Sequence, residues 1–290
     1  MDLAKAGDVI NAARLPRAGQ PAPAPVLLDI RTRAGARDRY YHFLLGFLTP
    51  LVLFLAKQTD ACRYYVRSCG PMDQHLHAMR LARVEVLSKT DWDDQVKARD
   101  LTVERLSGYD TGAFYNAEAF DHLRAAAFSR FGVQAGDARA RVLFINRGES
   151  PDYYQSDQSE GYRSPHAEGK ISANLRRSLP NMPEILGAAI ADDIPCRMVE
   201  LETSSLPEQV ALFANTTTVV AQHGAALANM IWMPRGSLIV EINPKPAADA
   251  FVDCFRDLAA VCGHDYVSVR QATKHAPVDP ALILAALRSK

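Results

Sequence analysis

Three runs in the second half of the chain are apolar almost without a break: RVLFIN (141–146), TTTVVAQ (216–222) and SLIVEI (237–242). A strand with one wet face alternates apolar and polar residues, so a continuous apolar run belongs to a sheet covered on both faces. Helical stretches separate these runs: MPEILGAAIADD (182–193), EQVALFAN (208–215), AALANMIW (225–232) and ADAFVDCFRDLAAVCG (248–263). RMVELE (197–202) and YVSV (266–269) read as further strands, and 279–288 as a closing helix. Ser205-Leu206-Pro207-Glu208 is a capping box with proline in the first turn. Strands alternating with helices of this length build βαβ units and a parallel sheet.

The first half reads as mixed α/β. VLLDI (26–30), CRYYVRS (62–68) and RVEVLS (83–88) are strand-like; 40–57 and MDQHLHAMRLA (72–82) are helical. NAEAFDHLRAAAFSRFG (116–132) spaces Phe120, Leu123, Ala127 and Phe131 on one helical face and puts Gly132 at the C-cap. The Pro- and Ala-rich PRAGQPAPAP (16–25) reads as an extended arm. The expected division is an arm at 1–25, an α/β domain at 26–138 and a Rossmann-like domain at 139–290, parted at VQAGDAR (133–139). Two such halves would face each other across a cleft. Ligands of open parallel sheets bind at the carboxyl ends of the strands.

Lys plus Arg and Asp plus Glu both number 33, so no global positive charge points to nucleic acid. Locally, Arg176-Arg177 is a candidate basic patch. The five cysteines, Cys62, Cys69, Cys196, Cys254 and Cys262, form no CxxC pair and read as buried free thiols of a reducing compartment. MDLAKAGDVINAARLPRAGQ (1–20) has a charged start and no apolar core, so it is not expected to act as a secretory leader. FLLGFLTPLVLFLA (43–56) is shorter than the ~20 residues a membrane span needs and contains Gly46 and Pro50. The expectation is a buried core helix and a cytoplasmic protein. His75 and His77 lack a third ligand at metal spacing and read as surface or cleft residues.

The stretch VVAQHGAALANMIWMPRGSLIVEINP (219–244) carries the chemistry. His223-Gly224-Ala225-Ala226 falls where a strand ends and a helix begins. Unpaired amides there attract anions, and small side chains let a phosphate approach. His223 would donate to a phosphate or a sugar hydroxyl, and Glu241, ending the next strand, would take vicinal ribose hydroxyls. A plainer alternative stands beside this: small residues for close helix–sheet packing, with His223 capping the helix. No GxGxxG follows a strand, which argues against a dinucleotide enzyme.

The order of these residues resembles the characteristic block of glycosyltransferase family 61: a strand, a GxHGAGLxN-like loop, an apolar helix, a PxG turn and a strand ending in glutamate. LFINR, RRSLPNMPEIL and VELETSSLPEQVALFANTTTVVAQHGA are similar to that family's further blocks, and YYHFLLGFLTPLVLF (40–54) to its amino-terminal one. The likeness covers roughly 38–60 and 140–243. It implies an inverting transferase of the GT-B kind, with two Rossmann-like domains facing a cleft. The first domain would hold the acceptor, a polysaccharide or glycolipid; the second would hold the nucleotide-sugar donor, commonly uridine-linked, with no metal or other cofactor. Nucleic acid is not an expected partner; peripheral membrane association and oligomeric state stay open. A bacterial source fits the Ala- and Arg-rich usage.

Three departures matter. Ala226 stands where the family commonly has a second glycine. Gly46 stands where the family often has an acid four residues after its histidine. A long stretch, 148–176, separates Arg147 from Arg177. The resemblance implies these roles: His42 as the base; Arg147 and Arg177 on the diphosphate; Asn181 with Glu184 matching a family block. Apart from the resemblance, Asp38 and Asp110 stand as fallback carboxylates. Gln222, His223, Gly224, Ala225, Asn229 and Glu241 complete the donor set, and Tyr153 and Tyr154 would stack on an acceptor sugar. Gly46 also motivates an alternative, a catalytically silent nucleotide-sugar-binding or scaffold subunit.

Overall fold

The computed structural model describes residues 23–32, 37–59, 61–98, 100–134, 142–149, 177–245, 249 and 252–289. These fall into two compact units, one ending at Gly132 and the other running from Val133 to the C terminus.

The first unit holds strands β1 (Val26–Arg31), β2 (Tyr64–Arg67), β3 (Val84–Leu87) and β4 (Thr102–Ser107), ordered β3-β2-β1-β4 and all parallel. β4 has no counterpart in the sequence reading. It is an edge strand with exposed Thr102, Glu104 and Arg105, so it offers no hydrophobic period to detect. The apolar 40–57 segment is indeed buried, but it is two pieces: a π-helical stretch His42–Leu48 and helix α1 (Thr49–Lys57). Phe43, Leu44, Phe47, Leu48 and Leu51 have no solvent exposure. Each such burial contributes roughly 1.5–3 kcal/mol, which is why this segment is core and not surface.

Helix α2 (Asp73–Met79) buries His75 between the rings of Tyr40 and Phe43. The surface-or-cleft expectation is therefore corrected for His75, while His77 is exposed. α3 (Lys89–Ala98) follows β3, and α4 (Ala117–Phe131) runs from its Asn116 cap to Gly132 at positive φ, as the spacing predicts.

The second unit holds β5 (Val142–Ile145), β6 (Cys196–Val199), β7 (Thr218–Gln222), β8 (Leu238–Asn243) and β9 (Asp265–Arg270), ordered β6-β5-β7-β8-β9 and all parallel. The central strands β5, β7 and β8 are buried at every residue, as their unbroken apolar runs require. Helices α5 (Met182–Ala191), α6 (Leu206–Ala214), α7 (Cys254–Cys262) and α8 (Pro280–Arg288) connect or follow them. The Ser205–Glu208 capping box is formed in both directions. AALANMIW is a 3₁₀ segment, Ala225–Trp232, not an α-helix. Of the cysteines only Cys69 is buried; Cys62, Cys196, Cys254 and Cys262 are half-buried, and all five are free thiols.

Both sheets reverse their direction of strand addition, the first between β1 and β4, the second between β5 and β7. At such a reversal the connections leave on opposite sides, and a crevice opens at the carboxyl ends of the two strands. The histidines singled out by the sequence lie by these two places.

Candidate functional site

In the second unit, Arg147 follows β5 and His223 follows β7. Arg147 Nη2 donates to the carbonyl oxygen of His223 at 2.6 Å, and Arg177 Nη1 donates to the same oxygen at 2.9 Å. Two guanidinium groups thus converge on one uncharged oxygen at the strand reversal. The 3₁₀ segment begins next in the chain, at exposed Ala225, and the first amides of such a segment have no partner within it.

Gly224 serves Arg147 directly. A Cβ at this position would lie 1.9 Å from Arg147 Nη2. The backbone there is extended, with φ 168, so what glycine supplies is space for the guanidinium. Gly148 plays a similar part toward acids: its Cβ would lie 2.7 Å from Glu200 Oε2 and 3.1 Å from Glu202 Oε2. Burial raises the Glu202 carboxyl above its ordinary range, against the opposing pull of backbone amides and the Arg147 charge. The cationic pair therefore borders an acidic flank that the sequence reading did not identify.

Arg177 is placed by a buried amide pair. Gln222 Nε2 donates to Gln271 Oε1 at 2.6 Å and to Ser178 O at 3.0 Å; Gln271 Nε2 donates to Ser178 O at 3.0 Å. Gln222 and Gln271 are 4% and 0% exposed, and through its Nε2 Gln222 anchors the residue beside Arg177, while its Oε1 has no hydrogen-bond partner among the described residues. Gln271 was invisible in the sequence, since only the β7–β8–β9 register brings it here.

His223 Nδ1 hydrogen-bonds Glu241 Oε1, and the Tyr266 hydroxyl donates to Glu241 Oε2. Glu241 has no solvent exposure, and each of its oxygens has a protein partner. The ribose-binding expectation for Glu241 is corrected on this ground: a buried carboxylate needs partners of its own, and these are His223 and Tyr266. Burial, reinforced by the Glu241 charge, pushes the Tyr266 phenol up, so it stays protonated and donates. The same two causes push Cys254 up to about 12. Burial lowers His223, against the Glu241 hydrogen bond that raises it. A neutral His223 bonded to an acceptor-only carboxylate carries its proton on Nδ1, leaving Nε2 as an acceptor. That tautomer suits a hydroxyl and not a phosphate oxygen. Tyr266 was legible only as part of a strand; the signal for it is its diagonal position to Glu241 across the β8–β9 register.

Two other expected donor residues are structural. Asn229 is fully buried: its Nδ2 donates to Gln209 Oε1 at 2.9 Å and its Oδ1 accepts from Trp232 Nε1 at 3.0 Å. Asn181 exchanges hydrogen bonds with the backbone of Val278, at 2.8 Å and 3.1 Å, and donates to Glu184 at 3.2 Å. Its side chain makes no capping bond to α5. Both residues fix the chain path around the site through groups that a ligand would otherwise need. Tyr153, Tyr154 and Arg176 lie outside the described residues.

In the first unit His42 opens the π-helical stretch, and its Nδ1 lies 2.8 Å from Asp110 Oδ2. Tyr41 sets its ring edge against the imidazole, with centroids 5.1 Å apart. Asp38 lies 3.9 Å from Arg39. Among the described residues no group of three or more His, Cys, Asp or Glu could hold a metal ion.

Parallel sheets with charged and imidazole groups at their strand reversals define an α/β protein of the Rossmann-like plan. The sequence model of Glycosyltransferase 61 matches residues 40–240, more than half of the chain, and the chain belongs to that family. Curated relatives include Protein O-linked-mannose beta-1,4-N-acetylglucosaminyltransferase 2 of Xenopus tropicalis, 33% identical over 76 residues, 26% of this chain and 13% of that protein. The human protein of the same name is 30% identical over 104 residues, 34% of this chain and 18% of its own length. The chain thus matches less than a fifth of the length of these relatives.

Proposed function

We propose that the chain is an inverting glycosyltransferase of the GT-B class that moves a sugar from a uridine diphosphate sugar to a polysaccharide or glycolipid acceptor. The observation that carries this reading is the convergence of Arg147 and Arg177 on the His223 carbonyl beside exposed Ala225. Guanidinium forks match phosphate oxygens, and positive charge there stabilises a departing diphosphate. The His223 ring, held by Glu241 with Nε2 as acceptor, takes a hydroxyl of the donor. In the transfer step the acceptor oxygen forms a bond to the anomeric carbon. The bond from that carbon to the diphosphate breaks, and its electron pair leaves with the diphosphate. The acceptor proton passes to Nε2 of His42, the general base. The relatives' names supply a first donor sugar to try, N-acetylglucosamine, and a first acceptor sugar, mannose. The charge of the diphosphate is met by the two arginines and backbone amides, with no call on a metal.

Isothermal titration with UDP and with UDP-N-acetylglucosamine tests the donor site. Wild type is expected to bind both. The double variant Arg147→Ala, Arg177→Ala loses at least about a hundredfold in affinity, two charge-assisted contacts being removed. Binding that survives the double substitution unchanged places the diphosphate elsewhere and overturns the reading.

A further inference from the structure

We propose that Asp110 is the positioning carboxylate of His42, delivered from the edge strand into space that Gly46 leaves open. The proposal rests on the reading of His42 as the base. Three successive residues after β4 lay the chain against the first sheet and the π-helical stretch. Gly108 N–H donates to Arg31 O at 2.9 Å, Tyr109 N–H donates to Leu45 O at 3.1 Å, and Asp110 Oδ2 meets His42 Nδ1 at 2.8 Å. Two glycines make this approach possible. A Cβ on Gly108 would lie 2.6 Å from both Cα and O of Gly46, a clash with backbone that no side-chain movement relieves. A Cβ on Gly46 would lie 3.0 Å from both Cγ and Oδ2 of Asp110, and 2.7 Å from Thr32 Cγ2. The carboxyl group of Asp110 thus occupies the ground a side chain at position 46 would take.

The geometry separates the two roles. The Asp110 side chain has no solvent exposure, whereas that of His42 is 24% exposed. A fully buried carboxylate does not reach an acceptor hydroxyl, so Asp110 acts through the ring. A carboxylate only accepts, so it holds the neutral imidazole with its proton on Nδ1 and the lone pair on Nε2. That is the tautomer a base requires. When Nε2 takes the acceptor's proton, the ring becomes a cation already hydrogen-bonded to a negative charge. Replacing the carboxylate by an amide lets an N–H₂ group face Nδ1, moves the ring proton to Nε2 and blocks the base. The carboxylate missing from position 46 is thereby present on another element, which removes the ground for reading the chain as catalytically silent.

The test uses the full chain with UDP-N-acetylglucosamine as donor and p-nitrophenyl mannoside as acceptor, and reads UDP release alongside the ¹⁵N resonances of the histidine rings. Asp110→Asn is expected to lower kcat roughly a hundredfold with the donor KM unchanged, since only the proton-transfer group is affected. In the same variant the His42 ring signals move from the Nδ1–H to the Nε2–H tautomer. Gly46→Ala, which crowds the carboxylate without removing it, is expected to disturb the same ring signals. It guards against an Asp110 variant that fails to fold. Unchanged His42 ring signals in a folded Asp110→Asn protein, or undiminished kcat, overturn the proposal. A wild type inert toward both sugars counts against transfer of N-acetylglucosamine to mannose, and the ring signals then decide Asp110 alone.

Discussion

Arg147 Nη2 and the carbonyl oxygen of His223 lie 2.6 Å apart, although 76 residues separate them along the chain. They meet because β5 and β7 are neighbours at the reversal of strand order, so the residues just past their ends share one edge. Gly224 leaves room for the contact, and the buried Gln222–Gln271 pair brings Arg177 to the same oxygen.

Gly224→Ala should weaken donor binding without unfolding the protein. The new methyl falls 1.9 Å from Arg147 Nη2, the far end of a flexible side chain, and the extended backbone at 224 accepts alanine. Arg147 is displaced from the His223 carbonyl. UDP affinity by calorimetry is expected to drop roughly tenfold, while the urea midpoint shifts by no more than about 0.5 kcal/mol in stability terms. A large loss of stability at unchanged affinity would show that Gly224 serves packing instead.

Tyr266→Phe removes the hydroxyl from a fully buried Glu241. The carboxylate oxygen left behind has lost its donor, which costs about 1–3 kcal/mol. Chemical denaturation at neutral pH should show that loss. An unchanged midpoint would mean that the contact contributes nothing to holding Glu241.

Asn229→Ala separates a structural role from a donor-binding one. It strips partners from Trp232 Nε1 and Gln209 Oε1, both buried, and opens a small cavity. A destabilisation of about 2–4 kcal/mol is expected. At temperatures where the variant is folded, UDP affinity should stay within about threefold of wild type. Loss of UDP binding in a folded, stable variant would return Asn229 to the donor site.

His75 makes the first unit sensitive to acid. Burial lowers its pKa from 6.5 to about 4. The unfolded chain therefore takes up a proton at this residue near pH 6.5, whereas the folded chain resists until about pH 4. Its contribution is intact above pH 6.5 and is lost as the pH falls toward 4, by at most about 3 kcal/mol. Urea midpoints of wild type and His75→Leu, compared between pH 7 and pH 4.5, check this. The variant should show the weaker pH dependence, and equal slopes would refute the assignment.

Legibility followed burial and chain distance. β5, β7 and β8 announced themselves because both faces are covered, and that leaves no polar residue to interrupt the run. The capping box at Ser205 and the glycine end of α4 were equally readable, since each is a contact between residues a few places apart. β4 was not: an edge strand exposed along most of its length carries no apolar period, so Asp110, named only as a fallback carboxylate, could not be placed beside His42. Glu241, Gln222 and Asn229 were found by position but given ligand contacts, when the Glu241 carboxylate, the Gln222 amide nitrogen and the Asn229 amide are engaged by Tyr266, Gln271 and Trp232. A pattern places a residue at a strand end; it does not say whether that residue's hydrogen bonds are already taken.

By itself the sequence determined the strand–loop–turn–strand around His223, the arginine after β5 and the histidine opening the apolar helix, because these depend on propensity, capping and periodicity within one segment. The tertiary structure alone decided that Arg147 and Arg177 share one carbonyl, that Glu241 belongs to His223 and Tyr266, and that the carboxylate beside His42 is Asp110. Those pairings join residues 18 to 76 positions apart. Strand order and register choose such partners, and no local preference encodes either one.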